Sequence, residues 1–273
     1  MSFAAVTGLA LYFSVSSWFI NKHWKTEESF WLQSVKYGAT ALAHNNYGLA
    51  VSRKNPELAE QHFQEALRQY PFHIYTNINL GLLYLRQKKK NEGIQILRKV
   101  VRWNPKWALA HHWLSVGLQS IGEKQESIKV ARHAADLDPR SLRYQHAAAR
   151  ALQNDGRHEE ALPYFERIVR VNPAYEQTEF WLAFALQKSG QSKKSVAMYN
   201  RFLERNPDYA QGHFNLGYEL MVMKKCLTAT EHFNRVLELH PAYRETHLYL
   251  ARCYRKLGNK MLADEHMTKY REQ

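Results

Sequence analysis

Small and apolar residues return along this chain at a fixed phase, and that phase predicts paired helices. A small residue stands at Gly48, Gly81, Ser115, Ala149, Ala183, Gly217 and Ala251, usually preceded by leucine (Leu80, Leu114, Leu182, Leu216, Leu250). Twelve residues later a second small residue follows at Gly93, Ser127, Ala161, Ser195, Ala229 and Ala263, and four beyond that come the bulky Phe165, Tyr199 and Phe233. Two small positions let a pair of helices approach closely, and the leucines and rings fill the seam. Punctuation keeps the same period. Six of the eight prolines (Pro71, Pro105, Pro139, Pro173, Pro207 and Pro241) are spaced by 34 residues. Proline fits between helices because no backbone N–H is needed there. Asn104, Asp138, Asn172 and Asn206 precede four of these prolines and complete turn dipeptides. A fixed period of this length predicts stacked helix–turn–helix repeats.

Residues 41–273 accommodate seven such repeats. The first carries Gly48, Ala59, Phe63, Ala66 and Pro71, with an inner loop one residue short. The seventh carries Tyr254, Gly258 and Ala263, and its polar last helix suits a cap. Residues 22–40 are read as a linker and a half-repeat helix from about Glu27 to Tyr37, with Phe30 in phase with Phe63. On these residues and spacings, the chain is identified as a member of the tetratricopeptide-repeat family over residues 41–273. The resemblance implies an all-α, right-handed superhelix (an α-solenoid). Its concave groove, lined by the first helix of each repeat, would hold a partner protein or peptide.

The N-terminus suggests a membrane. Met1 to Asn21 carries no charge, and Phe3 to Ile20 is 18 residues long. That length just spans a hydrocarbon core of about 30 Å, so a transmembrane helix over residues 1–21 and a single-pass membrane protein are expected. A cleaved signal peptide fits less well, since no positive residue precedes the apolar run. Lys22 and Lys25 follow the run, and the positive-inside count puts the repeats in the cytoplasm. The stretch Trp24 to Gly48 resembles the junction of multi-spanning, glycosyltransferase-like membrane proteins with their repeat tails. Trp24, Thr26, Glu27, Trp31, Ser34, Val35, His44, Asn45, Asn46 and Gly48 carry that likeness. It implies repeats outside the cytoplasm, opposite to the charge count. The many upstream spans and the catalytic carboxylates of such enzymes are not in this sequence.

Composition narrows the function. The chain has 273 residues, 45% hydrophobic and 23% charged, which excludes a disordered or low-complexity protein. Its net charge of +13 favours anionic partners. Two cysteines exclude a disulfide framework, and no Cys/His cluster has zinc spacing. There is no phosphate-binding glycine loop, no G-x-S-x-G and no H-E-x-x-H. No enzyme activity, cofactor or metal is expected. His44, His111, His213 and His247 share one phase on separate repeats and are read as structural. Cys226 is placed in a turn and Cys253 on a helix, neither with a base partner.

Two surfaces remain as candidates. Helical phase puts Arg143, His146, Arg150, Phe180, Phe184, Phe214, Tyr218, Met221, Arg252 and Arg255 in the groove, an aromatic patch flanked by arginines. It suits an apolar anchor with acidic neighbours. The family's chaperone-tail clamp is not matched, since Asn45 and Leu49 stand where it needs lysine and asparagine. The asparagine ladder of the glycosyltransferase-like proteins is present only in part, at Asn46, Asn79 and Asn215, with Trp113, Ala147, Trp181 and Tyr249 in its place elsewhere. The turns inside the repeats form a basic edge, with Arg86, Lys88, Lys89, Lys90, Lys193, Lys194, Lys224 and Lys225. That edge is either an ordinary solvated face or a dock for an anionic surface. The expectation is a membrane-anchored scaffold for another protein. Its alternatives are a split tail of a glycosyltransferase-like protein and a soluble basic adaptor for nucleic acid, the last with no recognition motif behind it.

Overall fold

The computed structural model describes residues 26–272, and among these the chain forms fifteen α-helices and one 3-10 turn. Helix α1 (Glu27–Gly38) leads, closed by a reciprocal Thr26–Ser29 cap. Helix pairs follow: α2 (Ala41–Val51) with α3 (Pro56–Gln69), α4 (Ile74–Arg86) with α5 (Lys90–Trp103), and α6 (Ala108–Ser120) with α7 (Lys124–Leu137). Next come α8 (Leu142–Asn154) with α9 (His158–Val171), and α10 (Thr178–Lys188) with α11 (Ser192–Arg205). The last are α12 (Ala210–Val222) with α13 (Cys226–Leu239), and α14 (Arg244–Lys256) with α15 (Lys260–Glu272). The chain divides into two compact units between Val130 and Ala131, inside α7.

The seams form where the sequence places small residues. A Cβ on Gly217 would lie 2.9 Å from the Phe233 ring, so glycine on α12 is what admits that knob from α13. In the second repeat two glycines face each other, and a Cβ on Gly93 would lie 2.7 Å from the Gly81 carbonyl. The first unit's core gathers Tyr47, Phe63 and Leu83, and then Ile78, Leu97 and Leu118. The second unit's core gathers Phe180, Tyr199, Phe202, Leu216, Phe233 and Leu250. Each is buried apolar surface that outweighs the entropy of ordering the helices.

A polar residue recurs at one phase of the first helices, and in repeats two, three and six it ties the turn. Asn77 Nδ2 donates to the Pro71 carbonyl at 3.0 Å. His111 Nε2 is 2.8 Å from the Pro105 carbonyl, and His213 Nε2 is 2.9 Å from that of Pro207. The proline carbonyl closing one repeat is thereby satisfied six residues into the next. The inner turns of repeats three, four, five and seven use a left-handed glycine, Gly122, Gly156, Gly190 and Gly258, with φ between 72° and 85°. At the same place in repeat six stands Lys224, with φ 62°.

Two expectations change. The predicted membrane span at residues 3–20 lies outside the described residues. Among the described residues no helix is long and apolar enough to cross a membrane. This overturns the reading as a single-pass membrane protein, and with it both assignments of side. On α1, Trp31 and Val35 pack against the first core cluster. Phe30 is only half-buried, against the edge of Trp31 at 4.8 Å.

Candidate partner-binding site

All the predicted groove residues fall in the second unit, on the first helices of repeats four to seven: α8, α10, α12 and α14. Helix α12 packs on both α10 and α14. The rings along this face are half-buried and organised by cations. The Arg150 guanidinium of α8 lies 3.5 Å over the Trp181 ring of α10. Lys188 Nζ stands 5.3 Å over Phe184, and Arg252 5.4 Å over Tyr249. Tyr249 also receives Phe214 at 5.4 Å and Tyr218 at 5.6 Å, both edge-on. Edge-to-face pairs of this kind contribute about 0.5–1.5 kcal/mol each beyond their burial.

Hydrogen bonds fix the first of these contacts. Arg150 donates to Gln153 Oε1 at 2.7 Å, and Gln153 Nε2 donates to the Trp181 carbonyl at 3.3 Å. Arg143, Arg252 and Arg255 are exposed, Arg255 with Asp264 at 3.9 Å.

Three predicted residues are not open to a partner. Phe180 is 3% exposed and lies among Tyr199, Phe202 and Tyr209. Met221 is 8% exposed and belongs to the same core. His146 is covered: its Nδ1 meets the Glu176 carboxylate at 3.0 Å, and its ring lies against Phe165 and Tyr175. Burial pulls the His146 imidazole below its ordinary value, against the raising effect of Glu176.

The reason for that cover is local. The other first helices begin one residue after the proline-led turn, whereas in repeat five Tyr175–Gln177 is a 3-10 turn and α10 starts only at Thr178. Glu176 and Gln177 take left-handed φ of 41° and 57°, which swings the Glu176 carboxylate to α8. Trp181 and Tyr249, in contrast, join the site without having been predicted as binding residues. Their signal was present, since they stand 34 residues before and after Asn215, at the same phase of the repeat.

The basic edge is only partly free. Lys89 is held by the Glu60 carboxylate at 2.9 Å and lies over Tyr84, while Lys90 donates to the Ser120 carbonyl at 3.0 Å. Lys194 donates to Gln191 at 3.0 Å. Arg86, Lys88, Lys193, Lys224 and Lys225 are exposed. Cys226 is the first residue of α13, not a turn residue, and is buried with Cys253. Among the described residues no group of three or more His, Cys, Asp or Glu side chains is placed to hold a metal ion.

The fold is all-helical and of the repeated helix-pair class. A tetratricopeptide-repeat model matches residues 74–106, and a bacterial transcriptional activator domain model matches residues 107–206. With the proline period and the helix pairs, this makes the chain a tetratricopeptide-repeat protein. Solved structures share the fold. The tetratricopeptide-repeat protein from Parabacteroides merdae ATCC 43184 aligns with a TM-score of 0.63 at 15% identity, covering 86% of this chain and 93% of its own. YrrB, described as a TPR protein with an unusual peptide-binding site, aligns at 0.61 and 16% identity, over 67% of this chain and 95% of its own. MamA from Desulfovibrio magneticus RS-1 aligns at 0.58 and 21% identity, over 62% of this chain and 96% of its own. No curated protein matches.

Proposed function

We propose that this chain is a non-catalytic interaction scaffold whose first-helix face in repeats four to seven captures an acidic segment of a partner protein through apolar anchors. One observation carries the reading: rings and cations alternate on this face, and Arg150, Lys188 and Arg252 are already held against Trp181, Phe184 and Tyr249. A cation braced on a ring loses little freedom when a carboxylate arrives, so binding costs less. Rings that remain half-exposed supply an anchor for an apolar side chain. A peptide-binding site in the similar YrrB fold supports the choice of a peptide partner.

The test is a fluorescence-polarisation screen of acidic peptides carrying one aromatic or aliphatic side chain. Binding that weakens at least tenfold in the Phe184→Ala/Tyr218→Ala double variant, with helical content unchanged, supports the site. Equal binding by wild type and double variant overturns it. The activator-domain match over residues 107–206 favours a second reading, an adaptor for a nucleic-acid assembly. A labelled oligonucleotide in the same assay separates the two.

A further inference from the structure

Three repeats close on a pair of histidines. His44 on α2 meets His62 on α3, His213 on α12 meets His232 on α13, and His247 on α14 meets His266 on α15. The Nδ1 to Nδ1 distances are 2.8, 3.0 and 2.9 Å. Ring centroids lie 5.1, 5.3 and 5.1 Å apart at interplanar angles of 28°, 31° and 30°. The same contact is built three times at the same place in a repeat. In repeats two to five the matching second-helix residue is Ile96, Val130, Tyr164 or Met198.

A hydrogen bond between two Nδ1 atoms holds a single proton: one ring donates and the other accepts. In repeat six the surroundings settle which. His213 Nε2 is 2.9 Å from the Pro207 carbonyl, so it carries hydrogen there, and His213 Nδ1 accepts from His232. One further proton goes to His232 Nε2 and puts a charge in a half-buried place. A second must go to His213 Nδ1, which sets N–H against N–H and breaks the contact. The contact therefore holds only while His213 Nδ1 carries no proton.

Burial opposes the charging. It lowers His232 to about 4, and lowers His44, His62, His247 and His266 as well. The charged neighbours are few. Glu65 of α3 raises both members of the first pair, and Arg68 of α3 lowers His44. Glu265 raises and Lys269 lowers the third pair, both from α15, while Tyr254 of α14 stacks on His266 at 5.5 Å. Among the described residues, the neighbouring ring of His213 is the one ionisable group that acts on His232, with none from the flanking α11 and α14. Helices α1 and α4 beside the first pair, and α13 beside the third, likewise add none.

An unfolded histidine takes its proton near about 6.5. With folded values below that, the opened repeat binds more protons than the closed one, so the stability is complete at neutral pH and is lost as pH falls below about 6.5. For His232, lowered to about 4, this weights the opened form about thirtyfold at pH 5. We propose that the three histidine pairs are proton-operated clasps, so that repeats one, six and seven open reversibly in mild acid while repeats two and five, whose helices hold no histidine, stay closed.

Hydrogen–deuterium exchange of the full chain, corrected for the intrinsic pH dependence of exchange, tests this. From pH 7.5 to 5, protection of residues 41–69 and 210–272 should fall at least tenfold more than that of the histidine-free residues 74–103 and 178–205, and return at pH 7.5. The His232→Gln variant keeps a donor toward His213 without a titrating ring, and should blunt the loss in repeat six. Side-chain nitrogen shifts of the wild type provide a readout that does not depend on that variant folding. They should show His44, His62, His232, His247 and His266 titrating below 6.5. Uniform loss across all seven repeats, unchanged protection down to pH 5, or paired rings titrating at the ordinary value would each overturn the clasp.

Discussion

The Arg150 guanidinium lies 3.5 Å over the Trp181 ring and, through Gln153, is tied to the Trp181 carbonyl, so one arginine joins the first helices of repeats four and five. The contact is half-buried, where a cation on an aromatic face is worth up to about 2 kcal/mol. Arg150→Leu should lower stability by about 1–2 kcal/mol, since it also strips Gln153 of its donor. Arg150→Lys keeps the charge but loses the planar stack and the fork, and should recover less than about half of that. Urea denaturation of the three proteins checks the order. Equal stability of the lysine and wild-type proteins would show that charge alone matters.

The inner turn of repeat six is strained by its own residue. Lys224 adopts φ 62° where repeats three, four, five and seven use glycine. A left-handed side chain costs roughly 1–2 kcal/mol, and the extra unfolded-state freedom of glycine returns about 0.4–1 of that. Lys224→Gly should therefore raise stability by about 0.5–1 kcal/mol. A thermal melt that fails to rise would place the strain elsewhere.

Much of this was legible in one dimension because packing repeats. The proline period and the two small positions located the helix pairs, since a seam that recurs in space must recur in sequence. Side-chain cover was not legible. Phe180 has the phase of a groove residue, but Phe202 and Tyr209 close over it, and Glu176 covers His146 because two left-handed residues delay α10. The histidines showed only half of their pattern. Their partners stand 19 residues on in repeats six and seven but 18 in repeat one, where the inner loop is a residue short.

Gly93 separates a pattern argument from a packing argument. Alanine or serine fills this position in the other repeats, and alanine favours a helix by about 1 kcal/mol over glycine. Yet a Cβ there would lie 2.7 Å from the Gly81 carbonyl, and a backbone atom cannot swing aside. Gly93→Ala should destabilise by about 1–3 kcal/mol as overpacking outweighs propensity. Ser127→Ala, at the matching place in repeat three, loses the bond from its hydroxyl to the Ser115 carbonyl at 2.9 Å but makes no clash. It should cost about 1 kcal/mol or less. Chemical denaturation of both variants measures the difference, and a neutral Gly93→Ala would mean that α4 and α5 can part without loss.

The two cysteines provide a probe of whether repeats six and seven stay closed. Cys226 opens α13 at 5% exposure, and Cys253 lies on α14 at 0%. Burial pushes the Cys253 thiol up to about 12, with the neighbouring Cys226 adding to the rise. Thiolate is the reactive form, so at neutral pH Cys253 is almost entirely unreactive even to a reagent that reaches it. Labelling by a maleimide should be at least a hundredfold slower in the native protein than in urea. It should follow the opening of the helix pairs and not the exposed surface. The rate should rise when pH is lowered and then restored in the presence of reagent, if the histidine clasps release the same repeats. Rapid native labelling of Cys226 alone would instead identify the first turn of α13 as frayed, with the core around Cys253 intact.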